Sequence, residues 1–586
     1  MIFPSTLPPI TTPDSNLVTY VFTQSAQHAM PTHPVFVDSL SSSMLTLQDL
    51  QQKTLQLAHG LHTRLGIQRG DTVAIFAANS IYYPLAAYAI VALGAVCSPA
   101  NPQYTPRELA HQLESSGCSL VVVGDGMRDK VEEALRLCGR SGFVQVLMMD
   151  EGRRGGEQSM FSYMREDAVY EILPREGGYL RTPAYLCYSS GTTGRPKGVL
   201  LTHGNMIANA QQINQIKTLD SRQGQGQGQG ERRSEVFLGL APFCHAYGLS
   251  YVLHSSVALG GTIVVMARYS FAHFLRAVER HRITYGYLVP PIICALSKDP
   301  LVDQHDLSSM RTVLSGGATL SAKLIEAAQQ RLPGMRVLQG YGMSEMSPAM
   351  TMLATSHDNP ASIGILMPSC DAKVLDADTD QPLAGPGQTG ELCFRGPNVM
   401  LGYLANPQAT RELIDSDGFV HTGDIGHIDA QGFFYITDRK KEIIKYKGFQ
   451  VAPSELEGML AEHPDVEDAA VMPVYDDAQA TEMPRAYIVL REGGEGGREE
   501  RAGKVVAWIN ARVAAYKKLR GGYVLVDSIP RSPAGKIIRA SLRNIEHVDA
   551  GSATSGSGRG SSSSSGSGSS GGSEPPAPTA SVSSVA

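Results

Sequence analysis

The sequence predicts an α/β protein: a large N-terminal domain of parallel-rich sheets with flanking helices and a small β-rich subdomain, then a small mobile α+β C-terminal domain. Three observations carry this. At 586 residues the chain exceeds what one hydrophobic core organises, so at least two domains are expected. Through the first part, short apolar β-rich runs alternate with helix-like stretches, the signature of βαβ units. After about residue 370 the texture changes to short strands and Gly-rich turns, and after residue 440 to a further mixed unit.

Taken in order, TVAIFAAN reads as a strand, YYPLAAYAIVALGA as an amphipathic helix, LVVVGD as a strand, KVEEALRLCG as a helix and VQVLMM as a strand. The pattern recurs at SEVFLGLAP, TIVVMAR, HFLRAVERHRI, YGYLVPP and MRTVLSGG, followed by the helix SAKLIEAAQQRL. AKVLDADTDQPL, GELCFRG and GFFYITDR supply the β-rich subdomain, about residues 370–440. From Lys441 to about His547 come helix SELEGMLAEH, strands AAVMPVYD and PRAYIVLRE, helix KVVAWINARV and strand YVLVDS. The expected domains are therefore 1–440 and 441–548. Two segments stand apart. Residues 223–233 (QGQGQGQGERR) form a polar repeat expected to be a disordered surface-loop insertion. Residues 549–586 are Ser/Gly-rich and cannot bury enough apolar surface to offset their ordering entropy, so a disordered tail is expected.

Fifty Lys+Arg against fifty-six Asp+Glu leave no basic excess, which disfavours a nucleic-acid partner. The eight cysteines are widely spread with no CxxC pair, so neither a zinc site nor a disulfide framework is suggested and a reducing compartment fits. No positive charge precedes Lys53, no apolar run is long enough to span a membrane, and SVSSVA is not an SKL-type address. A cytoplasmic protein is expected, in preference to a peroxisomal one.

The most informative stretch is YSSGTTGRPKGVLLTH, Tyr188 to His203. A strand runs into glycines, hydroxyls and one lysine. Glycines admit an anion close to backbone amides, hydroxyls donate further hydrogen bonds, and the ammonium neutralises charge, so this is a phosphate-cradling loop. It is not a P-loop, because Gly198 follows Lys197. Other residues are ambiguous by themselves. Glu345 in QGYGMSE, placed just past a Gly-flanked aromatic turn, fits a Mg²⁺ ligand or a solvated loop carboxylate. Asp424, in a turn after Gly423, and Arg439 fit a ribose site or halves of a surface ion pair. DRKKEIIKYKG, with five cations in eleven residues, reads as a solvated edge or an anion site. His245 in APFCHAYG and Lys536 in PRSPAGKI would ordinarily be structural and surface residues.

YSSGTTGRPKGV closely resembles the phosphate-binding signature of the adenylate-forming superfamily of acyl-CoA synthetases, 4-coumarate–CoA ligases and luciferases. APFCHAYGL, QGYGMSEMSP, HTGDIGHID, DRKKEIIKYKGFQVAPSELE and PRSPAGKIIRASL follow in that family's order. The resemblance, closest to the 4-coumarate–CoA ligase-like enzymes, covers about residues 20 to 545.

The resemblance implies an adenylation domain at 1–440 and a hinge at Lys441. ATP or AMP binding falls to Ser189, Ser190, Gly191, Thr192, Thr193, Gly194, Lys197, Gln339, Gly340, Tyr341, Gly342, Met343, Ser344, Asp424, Arg439 and Lys536. Tyr341 offers a ring to the purine, Asp424 and Arg439 serve the ribose, and Glu345 holds Mg²⁺. The catalytic set is Lys536, His245, Lys197 and Glu345; the acyl pocket is His245, Tyr247, Gly317, Ala318, Gly340, Pro348 and Ala349. CoA binding is carried to Arg268, Lys445, Lys447, Gly448 and Gln450, with Gly448 leaving room for a pantetheine arm. Ser344 stands where many relatives carry Thr, and Met346 reshapes the end of that motif near the acyl pocket.

The implied reaction is RCOOH + ATP → RCO-AMP + PPi, then RCO-AMP + CoA-SH → RCO-S-CoA + AMP, feeding a downstream thioester-using enzyme. Rivals on the same fold are a carrier-protein loading enzyme and a luciferase-like oxygenase. A non-catalytic nucleotide binder is disfavoured by the presence of Lys197, Glu345 and Lys536. An α-amino acid substrate is disfavoured because APFCHAYG has no acid for its ammonium.

Overall fold

Near-continuous apolar runs become parallel strands buried on both faces. Val73–Phe76 and Leu120–Val123 have no exposed residue, because helices cover each side of the sheet. In the computed structural model of the chain, the described residues are 1–150, 158–165, 167–189, 196–223, 235–318, 320–357, 359–376, 379–439, 442, 444–446, 449–476, 481–493, 496–513, 515–531 and 535–542. All fall in the unit Met1–Glu546. The insertion beyond Gln223, the hinge residue Lys441 and the Ser/Gly tail lie outside them.

Two parallel-rich sheets form the large part. In the seven-stranded sheet, Pro183–Ser189, Val96–Ala100, Thr72–Phe76, Leu120–Val123 and Gln145–Met148 run parallel. Lys197–Thr202 then returns antiparallel to Pro183–Ser189 and pairs in turn with Gly402–Tyr403. In the nine-stranded sheet, Pro34–Asp38, Thr262–Val265, Val236–Gly239, Tyr285–Leu288, Thr312–Ser315 and Arg336–Gly342 run parallel, with antiparallel strands at each edge. A third, antiparallel sheet holds Ile2–Pro4, Asp371–Leu375, Gly390–Arg395, Val420–Ile428 and Phe434–Arg439.

The helices start where local chemistry dictates. Thr105 and Glu108 close a capping box around Pro106–Ser116, with Pro106 in the first turn where its missing N–H has no consequence, and Gly117 ends the helix in the left-handed conformation. One expectation is corrected: Tyr83–Ala92 is not amphipathic. All ten of its residues are buried, since it lies sandwiched between other helices and its own sheet and has no solvent face.

Toward the C-terminus, Val466–Asp476 and Thr481–Leu490 form a long antiparallel pair joined by the parallel strand Tyr523–Leu525. Helices Pro453–Glu462 and Arg498–Asn510 close a core of Ile444, Leu456, Leu460, Val471, Ile488, Val505 and Ile509. Arg539 ties this unit together, bonding Glu457 at 2.6 Å and Glu442 at 2.7 Å.

Candidate active site

The parallel register aligns strand ends. Leu288 pairs with Ser315 and Ser315 with Gln339, so the segments after Val236–Gly239, Thr312–Ser315 and Arg336–Gly342 emerge along one edge. In open α/β sheets such carboxyl ends are where ligands bind. The first two segments carry His245 and Tyr247, and Gly317 and Ala318; the end of the strand Arg336–Gly342 and the residues after it carry Gln339–Ser344. Tyr247 donates its hydroxyl to the Leu314 carbonyl at 2.8 Å, which pins the ring over this edge. Gln339 is buried; its side chain takes the Leu320 N–H at 2.9 Å and donates to the Pro360 carbonyl at 2.8 Å, so it fastens two loops together.

The aromatic turn expected before Glu345 is instead the end of a strand: Tyr341 and Gly342 belong to Arg336–Gly342 and pair with Thr351 and Ala349. Gly342 is required there, because a Cβ would lie 2.2 Å from the Pro348 carbonyl oxygen. That packing and the bond from the Met343 N–H to Pro348 (3.0 Å) hold Pro348 and Ala349 beside the strand end. Glu345 follows in the short turn Ser344–Met346 and is 6% exposed, not a solvated carboxylate. It accepts the Tyr403 hydroxyl at 2.8 Å, while the Tyr403 ring centroid lies 5.0 Å from the Lys197 ammonium. Burial and the adjacent Glu345 carboxylate push the Tyr403 phenol well above its ordinary pKa, so it stays a donor.

The hairpin mouth is formed by Ser189 paired with Lys197; Ser190, Gly191, Thr192, Thr193 and Gly194 lie outside the described residues. Asp424 is not in a turn but in the strand Val420–Ile428, at a bulge opposite Leu392 where Gly423 adopts φ +69°. The Gly423 N–H is held by the buried Glu391 carboxylate at 3.0 Å, and the Asp424 N–H bonds Thr422 Oγ1 at 3.0 Å. Asp424 accepts the Tyr341 hydroxyl and pairs across the sheet with Arg439. Two sheets thus meet at the Tyr341–Asp424 contact.

His245 retains accessible surface, yet the enclosing protein and, secondarily, the Lys536 ammonium push its pKa down to about 4. It is therefore neutral at pH 7, and the Tyr247 N–H directed at its Nδ1 (3.4 Å) assigns the proton to Nε2. Lys536 itself is exposed, one residue after Gly535, whose Cα faces Val289. Of the remaining candidates, Arg268 sits in an exposed loop after Thr262–Val265. Lys445 and Gln450 are register partners in the hairpin Ile444–Tyr446/Phe449–Val451, and Lys447 and Gly448 lie outside the described residues.

Sequence reasoning missed Tyr403 and Glu391. GYL and GEL flag neither, since their partners lie 58 and 32 residues away and are reached only through strand pairing. Glu391, Cys393 and His421 also bring ligand atoms within 4.8 Å of one another. Glu391 already holds Gly423, and the other side of His421 faces Asp415 at 3.6 Å, itself bonded to Lys373 at 2.6 Å, so the cluster acts as a charge network under the Asp424 bulge.

Fold and site together define an adenylate-forming class of enzyme. The family model described as AMP-binding enzyme matches residues 22–404, and that of the AMP-binding enzyme C-terminal domain matches 455–536. The chain is 35% identical to 4-coumarate-CoA ligase 1 of Narcissus pseudonarcissus over 548 residues, covering 92% of this chain and 96% of that one. It is 37% identical to 4-coumarate–CoA ligase 5 of Oryza sativa subsp. japonica over 550 residues, covering 92% and 97%. Among solved structures it superposes on ATP-bound MatB from Rhodopseudomonas palustris with a TM-score of 0.77 at 25% identity, covering 90% and 98%. The fold is shared with the anthranilate CoA ligase AuaEII in complex with anthranoyl-AMP (TM-score 0.78, 23% identity, 90% and 96% coverage). The chain belongs to the AMP-binding enzymes and, within them, to the AMP-forming acid–thiol ligases, the acyl-CoA ligases.

Proposed function

We propose that this ligase activates a small carboxylic acid as its acyl-AMP and passes the acyl group to the CoA thiol, with the following division of labour. A carboxylate is a poor electrophile, and adenylation gives it a leaving group. The segment Ser189–Gly194 with Lys197 takes the triphosphate, Tyr341 and Gly340–Ser344 line the adenine side, and Asp424 with Arg439 binds the ribose. His245, Tyr247, Gly317, Ala318, Gly340, Pro348 and Ala349 surround the acid, and Lys536 stabilises charge on the reacting carboxylate and α-phosphate. No covalent protein intermediate is required.

The observation that carries this reading is the Tyr341–Asp424 contact, which brings the end of the strand Arg336–Gly342 against the Asp424 bulge. The influence of the Lys536 ammonium on His245 supports a place for Lys536 near the acid. Glu345 fits a hard cation: it is a buried carboxylate with one oxygen on Tyr403 and the other without a hydrogen-bond partner among the described residues. It would hold Mg²⁺, which supplies charge neutralisation at the phosphates. Domains at 1–440 and 441–548 rotating about Lys441 would withdraw Lys536 after pyrophosphate leaves and present Lys445, Lys447, Gly448 and Gln450, with Arg268, to CoA. All eight cysteines are free thiols, which supports a reducing, cytoplasmic setting, and no helix of the described residues is long and apolar enough to cross a membrane. The thioester product calls for a downstream thioester-using enzyme.

The test is acid-dependent pyrophosphate release over a panel of carboxylic acids, with thioester formation followed with and without CoA. Pyrophosphate release with thioester formed only on a carrier protein, or light emission with oxygen uptake, would replace the CoA step.

A further inference from the structure

Lys217 lies on the helix His203–Gln223 and turns its ammonium inward. Nζ donates to Ser255 Oγ at 3.0 Å and to the Tyr287 hydroxyl, and lies 5.0, 5.3 and 5.0 Å from the ring centroids of Phe237, Tyr285 and Tyr287. Ser255 in turn donates to Asn214 at 2.6 Å, and Ser256 and Tyr287 share a hydrogen bond at 2.9 Å. Among the described residues no carboxylate lies within ion-pair distance of Lys217. Glu235, the acid that acts on it from further away, is engaged by Arg311 at 2.9 Å and by Thr284. Desolvation pulls the Lys217 pKa down to about 7. A desolvated ammonium with no counter-ion among the described residues is unfavourable, and an apolar side chain of similar length would fill the aromatic box at less cost. Its presence calls for a use that the adenylation chemistry does not supply.

The box is in ring-to-ring contact with Tyr247, one of the residues assigned to the acid. The Tyr247 ring packs edge-on against Tyr251 at 5.0 Å and Tyr287 at 6.1 Å, and Tyr251 and Tyr287 are 5.7 Å apart. At the other end, a Cβ on Gly340 would lie 3.8 Å from the Tyr251 hydroxyl. A wall of rings therefore leads from Gly340 and Tyr247, at the strand ends, to the Lys217 ammonium. Among the described residues, two of its three N–H groups have partners, Ser255 and Tyr287, which leaves the third for a ligand.

We propose that Lys217 forms the inner end of the acyl pocket and selects acids that carry an oxygen acceptor, a phenolic hydroxyl or a second carboxylate, remote from the reacting carboxyl. The inference rests on the acyl-CoA ligase reading and on the assignment of Tyr247 and Gly340 to the acid. The aromatic wall packs the body of the acid, and the ammonium and the Tyr287 hydroxyl bind its far oxygen. A site built to bond such a group rejects the analogue lacking it, because its own polar atoms are then left desolvated and unmatched.

Matched pairs of acids test this: cinnamic against 4-hydroxycinnamic acid for the phenol, and a monocarboxylic acid against its dicarboxylic counterpart for the carboxylate. Each is measured by acid-dependent pyrophosphate release. The wild-type chain should favour the oxygen-bearing member of at least one pair by about tenfold or more in kcat/KM, and the pair that responds identifies the source of the oxygen. Lys217→Met should bring that ratio to within about threefold of one, whereas Lys217→Arg, which keeps the cation, should retain part of it. Wild-type turnover without discrimination in either pair, or a ratio preserved in Lys217→Met, overturns the role of Lys217 alone. Pyrophosphate release from no acid at all overturns it together with the ligase reading. The wild-type comparison requires no variant to fold, and melting temperatures of both variants report any structural loss.

Discussion

Asp424→Ala probes nucleotide binding and structure together, because the Asp424 carboxylate accepts the Tyr341 hydroxyl and is proposed to hold the ribose. A hydrogen bond to a charged acceptor contributes about 1.5–3 kcal/mol, and a tenfold change in an equilibrium corresponds to about 1.4 kcal/mol. Losing even one ribose hydroxyl's bond therefore raises KM for ATP about 10- to 100-fold, while KM for the acid, bound elsewhere along the strand ends, stays within about threefold. A second effect follows from the Tyr341 hydroxyl losing this acceptor, about 1 kcal/mol of stability, seen as a fall of a few degrees in the melting temperature. Adding Tyr341→Phe should recover most of that stability without restoring ATP affinity. Asp424→Asn keeps an acceptor for Tyr341, so it should melt near the wild type and raise KM for ATP less than alanine does. Pyrophosphate release at varied ATP and varied acid provides both constants. Equal rises in the two KM values, in variants that melt normally, would refute the ribose assignment.

Other perturbations address the two half-reactions and the fold. Lys536→Ala removes a cation from the developing charge, so acyl-AMP formation should fall by roughly 10² to 10³ while thioester formation from supplied acyl-AMP survives; Gly448→Leu should show the reverse pattern, and equal loss of both steps in both variants would remove the rotation scheme. Deleting residues 551–586, whose composition cannot support a core, should leave thioester formation within about twofold and the melting temperature unchanged. Burial holds His203 and His254 down to a pKa of about 3, below the unfolded value of about 6.5. The unfolded chain then takes protons that the fold refuses, so the stability these residues contribute is complete above pH 6.5 and is lost as pH falls toward 3. Urea midpoints measured from pH 7 to pH 4 should fall, and His254→Phe, with its ring between Tyr88 and Tyr185, should flatten that slope; an unchanged slope would show that the carboxylates dominate.

The strands and most helices were legible because burial on both faces leaves continuous apolar runs and amphipathic burial leaves a helical period. Tyr83–Ala92 misled for the same reason in reverse: a helix enclosed on every side has no polar face, so no period marks its orientation. The turn expected at Asp424 was read from HTGD, where Gly suggests reversal of the chain. Only pairing with Gly390–Arg395 and the Glu391 carboxylate make it a bulge inside a strand.

What the sequence by itself determined are the properties encoded over a few consecutive residues: the α/β alternation, the glycine- and hydroxyl-rich stretch after Tyr188, and the ordered motifs that single out Lys197, His245, Glu345, Asp424 and Lys536. What only the tertiary structure decided is which distant groups share an environment. Tyr403 reaches Glu345 and Lys197 because Gly402–Tyr403 adds to the edge of a strand two hundred residues earlier in the chain. Lys217, which no motif contains, meets Ser255 and Tyr287 because its helix packs against Gly248–Ser256. Electrostatic and hydrogen-bonding partners act over a few ångströms of space and carry no periodicity along the chain, so their identity exists only once the sheets and helices have been brought together.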